Sequence, residues 1–472
     1  MRVRSPPAGP ASRLLALFLS AAAAPWAVAG GAPADGRPAI QILPNDRLLV
    51  LAPHPDDEVI ATGGVILEAV RRGIPVRVVF YTYGDNNEWS FAAYRGHPVL
   101  APGAVRQMGL IRHDEALSAD TVLGLSSNQL AFLGYPDFGT LRIWNEHWGS
   151  RPPFRSMLTK VEAVPYGNAL RPGAAYKGEE ILEDLERVFR EFKPTKVFVS
   201  HAGDHNPDHR SLYLFTRVAL WDLQDELKPE LCPYLVHYRN WPLPRGFVPG
   251  DPLPPPDLFK DSVDWRIRPA SEAEIEVKHA AIRRHASQYA VSGAYLDSFL
   301  RSNELFGDFP ERPLYSAEGQ GAAGEDESEA HDIPAELTDE EQAAYIGIER
   351  RAMWMEEGNA VLRVSISKPL ARAVEFSADL FGYRRDKAFA EMPKIHVRMG
   401  VERTWVLDQD RPIPRAAVRI ERSARQITIR IPLATLGDPE RILTSARTSL
   451  GEVPLDWVSW RVLDVGRSTP PR

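Results

Sequence analysis

Apolar and polar positions alternate with two different periods along residues 46–308. Short apolar runs predict buried strands, and the longer amphipathic runs between them predict helices. The predicted strands are 48–51, 75–82, 131–133 and 196–200. The predicted helices are 58–72, 105–123, 178–192, 209–223 and 271–289. Because strand, helix and strand follow one another closely, we expect an α/β fold with a doubly wound, mostly parallel sheet.

The pattern changes after a small-residue, acidic segment at 317–334, whose composition is typical of a solvated linker. Seven short alternating runs follow it and predict a β-sandwich-like accessory domain over 335–472. These runs are 360–367, 373–379, 395–400, 404–407, 416–420, 426–431 and 457–462. A chain of 472 residues exceeds what one hydrophobic core usually serves, so the remaining α/β part, 46–316, is predicted to be a separate domain.

The first 29 residues have the layout of a secretory signal peptide. Arg2, Arg4 and Arg13 precede an apolar run at 14–24, and small residues at 27–29 offer a cleavage site. The alternatives are an uncleaved anchor and a disordered tail. We therefore expect an exported protein, periplasmic or extracellular, with a lead-in at 30–45 and no stable membrane span after cleavage.

The net charge argues against one class of binding partner, and the cysteine content excludes one way of stabilising the fold. The formal net charge is -7 and no basic stretch occurs, which argues against a nucleic-acid partner. Cys232 is the single cysteine, so no intrachain disulfide can form. The fold must be stabilised by burial, to which a bound metal could add.

Candidate chemistry begins where the first predicted strand ends, at His54, Asp56 and Asp57. A hydrolytic zinc site needs about three histidine or carboxylate ligands and an open position for water. His54 and Asp57 can supply two ligands, and Asp56 can take the proton from the water. The same tetrapeptide alone fits a turn equally well, with Asp56 or Asp57 capping the next helix.

The third ligand is expected from the loop after strand 196–200, because parallel strands open their carboxyl ends into one crevice. The candidates in that loop are His201, Asp204, His205, Asp208 and His209. Two such clusters at strand ends favour a metal site over two capped turns. Asp85 follows another strand and is predicted to line the crevice, although a turn explains it equally well. The flat ring of Trp144 is a predicted sugar-stacking surface, with packing as the alternative.

Four motifs occur in a specific order: 52–58 with Gly63 and Gly64, 112–115, 132–137 and 206–209. In this combination the chain resembles the zinc-dependent N-acetylglucosaminyl-phosphatidylinositol deacetylases, also called PIG-L or LmbE-like deacetylases. The resemblance covers about 46–306. It implies a Rossmann-like fold, a Zn²⁺ cofactor that another divalent metal could replace, and hydrolysis of an acetamido group on an amino sugar.

The resemblance also implies roles for single residues. His54, Asp57 and His209 match the zinc ligands, and Asp56 matches the general base that deprotonates water and then protonates the leaving amine. Arg112 and Asp137 match sugar-contacting positions. Many relatives carry an oxyanion-stabilising histidine where this chain has Asn206. Either the Asn206 amide or the adjacent His205 could donate to the oxyanion instead.

The function expected from the sequence is that of a metal-dependent hydrolase acting on an N-acetylglucosamine-type amino sugar or glycoconjugate. Two alternatives stay open from the sequence. One is an exported glycan-binding protein on a deacetylase scaffold, motivated by Asn206 and the added β-domain. The other is a hydrolase of another amide or an ester.

Overall fold

The computed structural model describes residues 36–86, 101–314, 327–328, 332–335, 337–414 and 418–466. The predicted signal peptide and most of the predicted linker at 317–334 lie outside these residues. From Arg37 onward the chain forms one compact unit. In the part of the chain that the structure describes, no helix is both long and apolar enough to cross a bilayer.

A seven-stranded sheet forms the centre of the first half of the chain. Its strands are β1 Leu48–Ala52, β2 Val76–Thr82, β3 Leu130–Tyr135, β4 Lys196–Ser200, β5 Glu230–Tyr234, β6 Arg266–Pro269 and β7 Asn303–Phe306. Their order is β3-β2-β1-β4-β5-β7-β6. The first five run parallel, and β7 pairs antiparallel with both β5 and β6. This confirms the predicted mixed α/β fold with a mostly parallel sheet.

Strand β1 lies at the centre of this sheet, between β2 and β4. All five of its residues are buried, which explains why its apolar run shows no alternation. The chain continues from β1 to β2 on one side and reaches β4 later on the other side. The loops after β1 and β4 therefore leave the same edge of the sheet next to each other.

Seven helices accompany this sheet in the described residues. They are α1 Asp57–Arg71, α2 Pro102–Val122, α3 Thr140–Glu146, α4 Gly178–Phe192, α5 Pro207–Asp222, α6 Glu272–Ile282 and α7 Ala286–Asp297. The prediction of one helix over 271–289 is wrong, because the chain leaves helical geometry at His285 (φ −75°, ψ 59°). His285 is buried there and its Nε2 lies 2.9 Å from Glu58 Oε1, a long-range contact that overrides the local helical pattern.

Two further sheets, antiparallel except for one short parallel pair, follow. Their strands are β8 Arg312–Pro313, β9 Glu327–Ser328, β10 Ile348–Glu356, β11 Asn359–Ile366, β12 Val374–Tyr383, β13 Lys394–Met399, β14 Thr404–Asp408, β15 Arg411–Pro412, β16 Arg419–Arg422, β17 Gln426–Pro432, β18 Arg441–Leu450 and β19 Val453–Asp464. Helix α8, Asp339–Ala344, precedes β10. The sheet orders are β16-β17-β11-β10-β9 and β15-β14-β13-β12-β18-β19-β8. Strand β8 pairs in parallel with β19, so the chain joins the second sheet before residue 317.

The larger C-terminal sheet is covered on both faces. Leu380 on β12 belongs to the core between the two C-terminal sheets. Its neighbour Phe381 faces the other way and belongs to the core of the α/β half, together with Trp460 of β19. This sheet therefore packs directly against the elements that carry the predicted site.

Candidate metal centre

The three residues predicted as metal ligands come together at the edge of the central sheet. His54 lies in the loop after β1, Asp57 begins α1, and His209 lies in the first turn of α5. All three side chains are buried. The structure thus brings the two separate clusters of the sequence into one site.

The donor atoms of these three residues lie at similar distances from one another. Asp57 Oδ2 is 3.3 Å from His54 Nδ1 and 3.0 Å from His209 Nε2. His209 Nε2 is 3.3 Å from His54 Nδ1. A tetrahedral Zn²⁺ about 2.0–2.1 Å from each donor needs donors about 3.3 Å apart, so the set fits such an ion. Burial would raise the pKa of Asp57, but the neighbouring His209 and His54 outweigh it and hold that pKa far below its usual range.

Each of the two histidines contacts a carboxylate through its other ring nitrogen. His54 Nε2 lies 3.2 Å from Asp137 Oδ1 and 3.3 Å from Asp208 Oδ2. His209 Nδ1 lies 3.1 Å from Asp204 Oδ2. Carboxylates in this position fix the orientation of metal-binding imidazoles and increase their basicity. Two other possible donor sets, Asp204 with His209 and His237, and His54 with Asp137 and Asp208, consist largely of these same contacts.

The buried carboxylate of Asp204 contacts His209 and several backbone N–H groups. Its Oδ2 also accepts hydrogen bonds from the backbone N–H groups of Val236 (3.1 Å) and His237 (2.9 Å), and Oδ1 accepts one from Asn206 N–H (2.9 Å). Burial would raise the pKa of Asp204, but His209 and the other donors hold it well below its usual range. The loop after β4 is therefore tied to the end of β5 through one carboxylate.

Asp56, the predicted general base, lies at the N-cap position of α1 but makes no capping hydrogen bond with its side chain. Its φ of 127° is in the region that favours glycine, a conformation that costs about 1–3 kcal/mol and is found mainly at functional sites. Burial raises the pKa of Asp56 to about 6, against the opposing charge of Arg112. A carboxylate with such a pKa can accept a proton near neutral pH.

Arg112 lies behind Asp56, where it connects two loops. Its Nη1 donates to Gly84 O (2.9 Å) and its Nη2 to Pro55 O (2.7 Å), and Nη2 is 3.4 Å from Asp56 Oδ2. A Cβ at Gly84, whose φ is +63°, would lie 2.2 Å from Arg112 Nη1, so this contact requires glycine. The side chain of Arg112 is only 4% exposed and contacts Asp56, and its predicted contact with the sugar stays a prediction.

The two other predicted carboxylates also lie at this edge of the sheet. Asp137 contacts His54, and its Oδ2 accepts a hydrogen bond from Asn86 N–H (2.9 Å). Asp85 accepts a hydrogen bond from the Tyr166 hydroxyl, and burial raises the pKa of Asp85 to about 7. Both are 6% exposed; Asp137 contacts a proposed ligand directly, and the place of Asp85 in the crevice stays a prediction.

The remaining predicted residues have different environments. Asn206 caps α5, because its Oδ1 accepts from Asp208 N–H (2.8 Å). The His205 ring lies 4.7 Å from the ring of Tyr238 and 4.7 Å from that of Trp457. Trp144 is fully buried and packs edge-on against Phe215 at 5.0 Å. The prediction that Trp144 stacks on substrate is therefore corrected: it is a core residue.

Two residues near the metal centre were not predicted from the sequence. His237 follows β5, and its ring lies 4.5 Å from that of His209 at 88°. Strand β5 was not predicted because it contains Pro233, and proline is rare inside sheets. Phe138 is 53% exposed beside Asp137, with a φ of 56°. Its N–H donates to Asp208 Oδ2 (2.6 Å), and no pattern in the sequence indicates an exposed ring there.

Comparison with known proteins finds that the sequence of this chain is similar to those of deacetylases. The family model described as PIG-L, GlcNAc-PI de-N-acetylase, matches residues 49–220. The chain is 34% identical over 250 residues to the 1D-myo-inositol 2-acetamido-2-deoxy-alpha-D-glucopyranoside deacetylase 1 of Saccharopolyspora erythraea, a match that covers 51% of this chain and 77% of the relative. The corresponding deacetylase of a Mycobacterium species is 28% identical over 257 residues, covering 52% and 75%.

One solved structure similar to this chain is an N,N'-diacetylchitobiose deacetylase from Pyrococcus horikoshii in complex with its inhibitor MPG. It is 20% identical, with a TM-score of 0.34, and the match covers 55% of this chain and 82% of that one. The family model ends at residue 220, so both C-terminal sheets lie outside it.

Proposed function

The chain belongs to the GlcNAc-PI de-N-acetylase (PIG-L) family, as its motifs indicated, and from that premise we propose that it is a metal-dependent hydrolase that removes the acetyl group from an N-acetylglucosamine-type sugar or glycoconjugate. The observation that carries the proposal is the buried triad of His54, Asp57 and His209 beside the carboxylate of Asp56. The printed activity of the relatives supports the substrate class.

The proposed cofactor is Zn²⁺ or another divalent ion, held by His54 Nδ1, an Asp57 oxygen and His209 Nε2. When bound, such an ion supplies Lewis acidity that polarises the acetyl carbonyl and makes an attacking water more acidic. Asp204 keeps His209 oriented toward Asp57 through the contact with Nδ1. Asp137 and Asp208 do the same for His54.

Asp56 performs the proton transfers in this proposal. Its carboxylate takes a proton from the water as the water oxygen attacks the acetyl carbon. The same proton then passes from Asp56 to the amide nitrogen as the C–N bond breaks. Acetic acid and a free amino sugar form, the remaining proton of the acid passes to the amine or to solvent to leave acetate, and Asp56 returns to its ionised form. Arg112 holds the Asp56 loop in place through the Pro55 carbonyl.

Of the two predicted oxyanion donors, the contacts favour Asn206. Its Oδ1 is fixed by the cap on α5, so the orientation of the amide is set and its NH₂ group remains as the donor half. His205 packs against the rings of Tyr238 and Trp457 instead.

Three finer assignments belong to the same proposal. We assign the α/β half, 46–316, to the Rossmann-like class, supported by the parallel order β3-β2-β1-β4-β5. We treat 335–472 as the accessory domain. We also propose export after cleavage near Gly30, which N-terminal sequencing of the secreted protein would test: a mature chain that still begins at Met1 would contradict it.

The experiment that tests the function is acetate release from a panel of acetylated amino sugars by the intact protein and by Asp56→Asn. The panel includes N-acetylglucosamine, its oligomers and the inositol-linked sugar named for the relatives. We expect Asp56→Asn to lower kcat by about 10²–10⁴-fold while it still binds metal. Asp114→Asn is the matched control, since its side chain is 80% exposed on α2, and it should behave like the unaltered protein.

Full turnover by metal-loaded Asp56→Asn would refute the base assignment. A protein that binds these sugars but releases no acetate from any of them would instead favour a glycan-binding role on a deacetylase scaffold. Release confined to other amides or to esters would replace the substrate class.

A further inference from the structure

The loop that carries Asp204 and His209 is covered from outside by β19, the last strand in the part of the chain that the structure describes. This loop, 201–210, connects β4 to the first turn of α5. Strand β19 belongs to the larger C-terminal sheet, about 250 residues further along the chain and outside the matched family region. The contact between β19 and this loop therefore requires the C-terminal half of the chain.

Trp457 of β19 contacts the loop at its middle and at its C-terminal end. Its ring lies 4.7 Å from that of His205, nearly perpendicular at 77°. The guanidinium carbon of Arg210 lies 5.0 Å from the centre of the Trp457 ring. Edge-to-face aromatic contacts and cations over tryptophan rings are both attractive arrangements. Trp457 thus contacts the residue that follows Asp204 and the residue that follows His209.

Ser459 and Arg461 extend this contact along the loop. A Cβ at Gly203 would lie 2.9 Å from Ser459 Oγ and 2.6 Å from the Phe259 ring, so β19 approaches the loop backbone as closely as only glycine permits. The Arg461 guanidinium carbon lies 3.2 Å from the centre of the Phe309 ring, which in turn lies 4.7 Å from the ring of His201. The β18–β19 pairing shifts register between Val458 and Arg461, an irregularity that re-aims side chains.

The loop is consequently held from two sides. From inside, the Asp204 carboxylate binds His209 and the end of β5. From outside, β19 lies against Gly203, His205 and Arg210 and reaches His201 through Phe309. Asp204 cannot orient His209 unless the backbone between them keeps its shape, and the outer contacts act on that backbone.

We propose that β19 is a positioning element of the metal centre, in which Trp457, placed between His205 and Arg210, holds loop 201–210 so that Asp204 and His209 stay aligned. The inference rests on the proposed metal site and assigns a role to the C-terminal half: it completes the site as well as packing against it. Trp457 is a positioning residue, since it acts through the loop.

The test compares Trp457→Ala and Trp457→Phe with the matched control Trp405→Ala in the full chain. Trp405 lies in β14 of the same sheet and is 39% exposed. The affinity for Co²⁺, measured by chelator competition and by the visible absorption of the bound ion, is the main readout. The kcat and KM for acetate release are measured alongside, and circular dichroism reports folding.

We expect Trp457→Ala to weaken Co²⁺ binding about tenfold, with an altered Co²⁺ spectrum and a lower kcat at unchanged KM. Trp457→Phe keeps an aromatic edge against His205 and should largely restore both, and Trp405→Ala should match the unaltered protein. If Trp457→Ala does not fold, Trp457→Leu, which keeps bulk without a ring, decides by the same criteria.

The proposal would be overturned if a folded Trp457→Ala or Trp457→Leu variant had the same Co²⁺ affinity, Co²⁺ spectrum and kcat as the unaltered protein. Equal losses in Trp405→Ala would overturn it as well, because the effect would then be general to the sheet. Failure of the unaltered protein to bind Co²⁺ would instead overturn the proposed function on which the inference rests.

Discussion

Replacing Asp204 by asparagine tests how much the buried Asp204 carboxylate contributes to metal binding through its contact with His209. The exchange keeps the size of the side chain but replaces one accepting oxygen by an NH₂ donor and removes the charge. Asp204 makes four contacts within 3.1 Å: it accepts hydrogen bonds from the backbone of Val236 and His237 at Oδ2 and from the backbone of Asn206 at Oδ1, and its Oδ2 lies 3.1 Å from His209 Nδ1.

The expected magnitude follows from these four contacts. In its better orientation the asparagine oxygen replaces Oδ2 and its NH₂ group replaces Oδ1, so the buried N–H of Asn206 loses its acceptor. One unsatisfied buried group costs about 1–3 kcal/mol. His209 also loses its ionised partner, and removal of such a partner typically weakens metal affinity about 10–100-fold. A factor of 10–100 corresponds to about 1.4–2.7 kcal/mol of binding free energy.

The assay is chelator competition for Zn²⁺ or Co²⁺ together with thermal unfolding of the metal-free protein. Asp120→Asn is the matched control. Asp120 is buried in α2, both of its oxygens lack hydrogen-bond partners among the described residues, and burial raises its pKa well above the usual range. Since neither of its oxygens bonds a metal ligand, and the amide keeps the size of the side chain, Asp120→Asn should leave metal affinity unchanged. Metal affinity of Asp204→Asn within about twofold of the unaltered protein would refute the reasoning.

Three other predictions follow from the same structure. Because Asp56 must be ionised to act and burial raises its pKa, kcat/KM should fall as the pH is lowered through the pKa of Asp56 and level off above it; a rate that rises as the pH is lowered from about 7 to about 4 would contradict this. Burial lowers the pKa of Lys394 from 10.5 to about 7, so the folded state binds fewer protons than the unfolded state between these values and the free energy of unfolding should rise with pH across that window. Lys394→Met should abolish that rise in denaturant titrations, and an unchanged pH dependence would argue against it. Phe138→Ala should raise KM several-fold at constant kcat, since the exposed ring flanks Asp137 and offers a stacking face to a sugar. Met157→Ala, at an exposed position (71%), is its control, and equal KM values in both variants would exclude the contact.

The parts of the fold that the sequence could predict are those with strong local patterns. Strand β1 is an apolar run that ends at a proline-restrained His-Asp-Asp loop, and β4 precedes the loop with His209. Because adjacent parallel strands open at one edge, these two patterns were enough to bring His54 and Asp57 next to the loop that carries His209. The choice of His209 among the five candidates in that loop came from the family resemblance. Short motifs also sufficed to identify the family.

Long-range contacts account for most of what the sequence could not show. His285 leaves its helix to contact Glu58, 227 residues away, and local periodicity carries no record of that partner. Tryptophan is a residue type that can stack on sugars, but Trp144 is buried against Phe215 and the C-terminal sheet. The sequence around Trp144 does not show these contacts. Arg112 was correctly placed near the site, but only the carbonyls of Gly84 and Pro55 show that it positions Asp56.

Acetate release before and after removal of the metal tests the central claim most directly. The intact protein is assayed with the inositol-linked N-acetylglucosamine substrate, then dialysed against a chelator, and then resupplied with one equivalent of Zn²⁺. The account predicts loss of activity with the metal, recovery on resupply, and no recovery in His209→Ala, which lacks one of the three donors. Undiminished acetate release from the fully metal-free protein would contradict it.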